Sequence, residues 1–290
     1  MLNLETRQSS SAGESAPAAN SVASKDARAD ARSAVAGSWD GPLIEVDHVN
    51  LNFTKEKVAL PVLVDVSLSA NKNEFVALTG PSGCGKSTLL RIIAGLIKPS
   101  SGVAKFKGQT ITEPRHELAM IFQTFVLLPW KTSLDNVVFG LSSRTDLSDD
   151  EKRKISLKAL ENAGLGGFEN VYPGELSGGM KQRVGIARAL ALQPEVLLMD
   201  EPFSALDNLT ADRLRREIYS LLINPSSSIQ TVIMVSHNVE EIVELADRIV
   251  VLSPRPGHVV VDMKNELPRP RNKKSDEFLL SVDKLYSYLA

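Results

Sequence analysis

The chain has 290 residues, a length that suits one to two domains at about 150 residues each. Hydrophobic residues make up 43%, enough for a sizeable core, and a formal charge of −2 excludes a globally basic nucleic-acid binder. The single cysteine, Cys84, excludes an intrachain disulfide framework and fits a reducing setting, and no apolar run approaches the ~18 residues that span a bilayer.

The first 40 residues contain 18 Ala and Ser, and Trp39 is their only aromatic. A stretch so poor in apolar groups cannot offset its ordering entropy, so the sequence predicts a disordered arm over 1–42. It lacks the apolar centre of a signal peptide. From residue 44 the pattern changes. Residues 44–53 alternate as a half-buried strand, 62–68 form a second candidate, and 54–61 read as a loop between them. The apolar run 74–79 ends at a glycine, and 86–94 reads as a helix. Further strand-length runs fall at 118–122, 196–199, 231–235 and 249–252, with helical patterns at 149–162, 180–192, 210–222 and 239–245. Buried strands alternating with helices imply a largely parallel α/β sheet. Residues 133–192 hold helices without strands, as a helical insertion would. A tail with a short helix is expected over 266–290.

Residues 80–88, GPSGCGKST, match G-x-x-x-x-G-K-[ST] between a strand and a helix. Gly80, Gly83 and Gly85 let backbone N–H groups converge on phosphate oxygens, and the helix start adds its positive dipole end. Lys86 supplies a point charge for the terminal phosphates, and the Ser87 hydroxyl suits Mg²⁺. Pro81, Ser82, Cys84 and Thr88 complete the loop.

Residues 196–201, VLLMDE, are an apolar strand ending in two acids. Such a strand holds Asp200 rigidly enough to orient Mg²⁺, and Glu201 lies where it can polarise a water. His237 and Gln123 each follow another strand of the series. Ligands bind at the carboxyl ends of parallel strands, so His237 suits the γ-phosphate and Gln123 the metal or a water. LSGGM at 176–180 opens a strong helix with Ser177 as N-cap and free N–H groups at Gly178 and Gly179. Two phosphate-reading loops in one chain point to a head-to-tail dimer, each nucleotide held between the first loop of one copy and the second of the other.

Taken in order, these motifs resemble the nucleotide-binding subunits of ABC transporters, over residues 44–252. GPSGCGKST resembles the Walker A motif, and VLLMDE the Walker B motif with Glu201 as the catalytic acid. Gln123 matches the Q-loop, LSGGM the signature (with Met180 where many members have Gln), the stretch ending at Asp207 the D-loop, and His237 the switch histidine. Phe53 falls where the family stacks an aromatic on adenine. LLPW at 127–130 and SPRPGH at 253–258 resemble the importer branch for nitrate, sulfonates, taurine and bicarbonate.

The resemblance implies a P-loop NTPase core with an antiparallel β edge region and a helical subdomain, the ATPase domain covering 43–265. It implies ATP and Mg²⁺ as cofactors, with Ser87, Gln123 and Asp200 as metal ligands. It implies a homodimer, transmembrane permease subunits, an extracytoplasmic solute-binding protein, and a peripheral place on the cytoplasmic face of the membrane. No nucleic-acid partner is expected. Alternatives are a soluble ABC ATPase of DNA repair or translation, an exporter subunit and a nucleotide sensor.

Overall fold

The computed structural model describes residues 39–55 and 58–289. The arm expected over 1–42 therefore lies outside the described residues as far as residue 38.

Two sheets build the core. An antiparallel sheet holds β1 (Ile44–Lys55), β2 (Val58–Ala70), β4 (Ser101–Phe106) and β5 (Gln109–Thr110) in the order β2-β1-β4-β5. The larger sheet contains β3 (Glu74–Thr79), β6 (Leu118–Ile121), β7 (Val196–Asp200), β8 (Thr231–Val235), β9 (Arg248–Leu252) and β10 (Val259–Lys264). Its order is β10-β9-β3-β8-β7-β6. All its pairings are parallel except that of β10, which runs antiparallel along the edge.

The central strands are apolar throughout because both faces are covered, and side chains alternate between two cores. Val76 and Leu78 of β3, with Ile233 and Val235 of β8, face the antiparallel sheet and helix α1 (Lys86–Ile93). Phe75 and Ala77, with Val232 and Met234, face the opposite side.

A third cluster joins three helices of the 133–192 segment, α2 (Ser133–Gly140), α3 (Asp149–Asn162) and α4 (Gly178–Ala191), through Leu134, Val137, Leu160 and Val184. Helix α3 begins where the sequence predicts, because Ser148 and Glu151 form a reciprocal capping box.

Helix α5 (Asn208–Ile223) and α6 (Val239–Leu245) cover the second core, together with α7 (Asp276–Leu289). The tail carries the expected helix, 14 residues long, and Phe278, Val282 and Leu285 bury its apolar face. Arg271 fixes the approach to it. Its guanidinium donates to the carbonyls of Val243, Glu244 and Ala246 at the end of α6, and burial lowers its pKa to about 10.

The segment 54–61 is not the expected loop. β1 and β2 continue pairing into it from both ends, with Phe53 opposite Leu60 and Thr54 opposite Ala59. Asn73, at the turn before β3, takes a left-handed φ of 59°, a conformation that Asn tolerates well.

Candidate functional site

Parallel pairing puts the carboxyl ends of β3, β6, β7 and β8 along one edge, and each is followed by a residue singled out from the sequence. β3 feeds the glycine loop, β6 leads to Gln123, β7 ends at Asp200 and Glu201, and β8 leads to His237. An open pocket of about 550 Å³ lies there. The glycine loop lines it with Gly80, Ser82, Gly83, Gly85, Lys86, Ser87 and Thr88, and Phe53, Gln123, Glu201 and His237 join them. Phe53 is 47% exposed, which leaves its ring available for stacking.

Gly80, Gly83 and Gly85 all hold positive φ. At Gly80 no other residue fits, since a Cβ would lie 2.5 Å from the carbonyl oxygen of Leu252. Lys86 is nearly buried, and its ammonium donates to the carbonyls of Gly80 at 2.7 Å and Pro81 at 2.8 Å. The charge thus crowns the loop at the place a phosphate would take. Cys84 lies fully buried under the loop and is not among the residues lining the pocket.

The Ser87 hydroxyl donates to Asp200 Oδ1 at 2.7 Å. Asp200 is 1% exposed and its Oδ2 is buried without a partner. Burial raises its pKa, while the Ser87 hydrogen bond and the charge of Arg91 work the other way. A hydroxyl, a carboxylate and an orphaned buried oxygen make a hard-oxygen donor set that fits Mg²⁺.

Glu201 is gripped from both sides. Gln123 Nε2 donates to Oε2 at 2.8 Å, and His237 Nδ1 lies 3.2 Å from Oε1. The Glu201 N–H donates to the Val235 carbonyl at 3.0 Å, tying it to the strand that carries His237.

Ser177, Gly178, Gly179 and Asp207 do not line this pocket. Ser177 caps α4 as expected, accepting from the Met180 N–H at 3.3 Å. A Cβ on Gly179 would lie 3.4 Å from Leu206, so the signature abuts the segment before Asp207. Asp207 caps α5, and its hydrogen bond from Thr210 holds its carboxyl below the usual range.

Three contacts escape sequence reasoning. Buried Gln182 of α4 donates to the Pro202 carbonyl at 2.8 Å, joining the signature helix to the loop after Glu201. The buried pair of Arg215 with Glu241 (2.8 Å) joins α5 to α6, and Ser236, beside His237, donates to the same Glu241 at 2.7 Å. Arg255 also lines the pocket. The only sequence signal for the first two is a polar residue on an otherwise apolar helix face.

This fold and site define a P-loop nucleotide-binding cassette. The ABC transporter family model matches residues 63–204. An uncharacterized ABC transporter ATP-binding protein of Methanocaldococcus jannaschii is 42% identical over 246 residues, which cover 85% of this chain and 91% of that protein. An aliphatic sulfonates import ATP-binding protein of Bacillus cereus is 40% identical, covering 81% and 91% respectively. A nitrate import ATP-binding protein of Synechococcus elongatus is 39% identical, covering 80% and 84%. Among solved structures, an ATP-binding cassette in a dimeric post-hydrolysis state with ADP and Pi aligns with a TM-score of 0.69 at 31% identity. That alignment covers 78% of this chain and all of the other. The chain belongs to the ABC transporter family, as one of its ATP-binding, ATP-hydrolysing cassettes.

Proposed function

We propose that this chain powers an importer of a small anionic solute of the sulfonate or nitrate type. The names of relatives at about 40% identity support the solute class. The observation that carries the catalytic reading is the Glu201 carboxylate held between Gln123 and His237 at the lip of the phosphate loop.

In this reading Lys86 and the amides of Gly80–Gly85 hold the β- and γ-phosphates of ATP, and Phe53 stacks on adenine. Ser87 and Asp200, with Gln123 from the end of β6, would hold Mg²⁺, which would offset phosphate charge. Glu201 takes the proton from a water as the water oxygen bonds to the γ-phosphorus and the bond to the β-phosphate breaks. His237, released from Glu201, donates to the γ-phosphate. Gln123, released from Glu201, would offer its amide oxygen to Mg²⁺ or its amide N–H to a water, so the loop after it responds to nucleotide.

Two copies pair head to tail, and Ser177, Gly178, Gly179 and Asp207 of one complete the pocket of the other. The dimeric state of the related cassette supports this arrangement. The catalytic domain is residues 43–265.

Among the described residues no helix is long and apolar enough to cross a membrane. Solute passage then falls to permease subunits, and the chain sits against them on the cytoplasmic face, with a solute-binding protein on the other side. Trp130 is 71% exposed and Val126 53%, beside Gln123, which suits a groove for a permease helix.

The test is ATP hydrolysis by the chain reconstituted with its permease and solute-binding protein in vesicles. Alkanesulfonates, taurine, nitrate and bicarbonate are offered outside. At least one should stimulate hydrolysis severalfold; stimulation by none of them would overturn the solute class.

A further inference from the structure

The nucleotide pocket contains a cation to which neither the loop chemistry nor the motifs assign a task. Arg255 comes from the connection between β9 and β10, far in sequence from the phosphate loop, yet it lines the same pocket as Phe53 and Lys86.

Backbone contacts fix that connection in place. Gly257 donates its N–H to the Val62 carbonyl at 2.9 Å and accepts from the Val64 N–H at 2.9 Å, so the connection pairs with β2. On its other side a Cβ at Gly257 would lie 2.1 Å from the Cys84 carbonyl oxygen. The connection is therefore wedged between β2 and the phosphate loop. Ser253 braces it internally, its hydroxyl accepting from the His258 N–H at 3.0 Å.

Arg255 is exposed, and its Nε donates to the Pro61 carbonyl at 3.1 Å. That bond leaves both terminal amino groups of the guanidinium without a protein acceptor among the described residues. Pro61 pairs with Asn52, next to Phe53, so the guanidinium rests on the hairpin that carries the aromatic. The terminal phosphates are served by Lys86 and the loop amides. A planar cation with two free amino groups, resting on the hairpin that carries the adenine-stacking candidate Phe53, matches the phosphate nearest the ribose.

We infer that Arg255 is a nucleotide-binding residue that holds the α-phosphate of ATP. The inference rests on the ATP-binding reading above and adds a contact that neither the phosphate loop, the acidic strand end nor the signature supplies.

Calorimetric titration of ATP and ADP, with adenosine as a competitor against ADP, tests it on the parent chain, Arg255→Gln and Arg255→Lys. Loss of a charge-assisted phosphate contact predicts a roughly tenfold weaker Kd for ATP and ADP alike in Arg255→Gln. Adenosine should compete with the same inhibition constant in all three, and Arg255→Lys should recover part of the loss. Unchanged ATP and ADP affinity in Arg255→Gln would overturn the inference. So would a loss confined to ATP, which assigns the γ-phosphate, or an equal loss for adenosine, which assigns the base. A lower melting temperature of nucleotide-free Arg255→Gln would make the residue a loop brace and overturn it too. A parent chain that binds neither ATP nor ADP would overturn the ATP-binding reading itself, and that failure shows before any variant is compared.

Discussion

Glu201 holds a left-handed φ of 47°, a conformation that costs a residue with a Cβ roughly 1 kcal/mol or more. The turn is imposed by its N–H bonding back to Val235, and it aims the carboxylate out of β7 between Gln123 and His237. The sequence discloses which residues meet here, because each follows an apolar run, but not this backbone twist. Asp200 carries a different cost. Its folded pKa is raised by burial, so between the ordinary carboxylate value and that raised value the native state binds the extra proton. Stability therefore falls as pH rises through that window and stays lowered above it. At pH 7.5 Asp200→Asn should raise the melting temperature of the nucleotide-free chain by roughly a few °C. It should also abolish the extra stabilisation that Mg²⁺ with ADP gives the parent. A thermal melt with and without Mg·ADP checks both, and a variant that melts lower without ligand would contradict the account of Asp200.

At the scale of elements, strands buried on both faces are legible because nothing but apolar side chains fits them, and 74–79 and 231–235 fall where periodicity places them. The antiparallel sheet is less legible. β1 and β2 carry His48 and Asp65 at positive φ where their register shifts, and the alternation over 44–53 does not disclose these bulges. β4 opens on Ser101 and Gly102, and β5 has only two residues, so neither gives a periodic signal. The 253–258 connection stands out in the sequence only by its resemblance to the importer branch, and its long-range pairing with β2 is what reveals that it reaches the pocket. Gly257→Ala tests that wedge. With no room for a methyl group against Cys84, the variant should lose about 1–3 kcal/mol in denaturant unfolding. It should also bind ATP more weakly, because the phosphate loop must shift; unchanged stability would show that the two loops are not in contact.

The helical segment shows how the site addresses the rest of the molecule. Arg188 of α4 donates to the Val126 carbonyl at 2.8 Å, and Asn136 of α2 holds Leu128 through its backbone N–H at 2.7 Å and its carbonyl at 3.1 Å. The loop after Gln123 is thus tied to the helices, while Trp130 at its end stays exposed. A large exposed aromatic on a braced loop is the kind of group that dominates an interface. Trp130→Ala should weaken assembly with the permease by about 2 kcal/mol or more and leave the melting temperature of the isolated chain within about 1–2 °C. Co-purification and a melt check this together, and an unfolded variant, or one that assembles normally, would contradict the docking role.

For the whole molecule, one pocket contains Phe53, the phosphate loop, Gln123, Glu201 and His237, while Ser177, Gly178 and Gly179 stand outside it. On the proposed head-to-tail reading a single copy presents two incomplete halves. The sequence announces both loops through their motifs; the fold adds that they stand apart, which supports the proposed pairing with a second copy. If Glu201 activates the water and a second copy completes each pocket, Glu201→Gln should keep ATP binding and lose turnover by roughly 10²–10⁴-fold. ATP should then accumulate the closed pair instead of being consumed. Light scattering of Glu201→Gln with and without Mg·ATP, alongside phosphate release, reads both properties at once. The account predicts a doubling of mass on adding ATP with almost no phosphate released; a variant that stays monomeric and hydrolyses ATP at the parent's rate would contradict it.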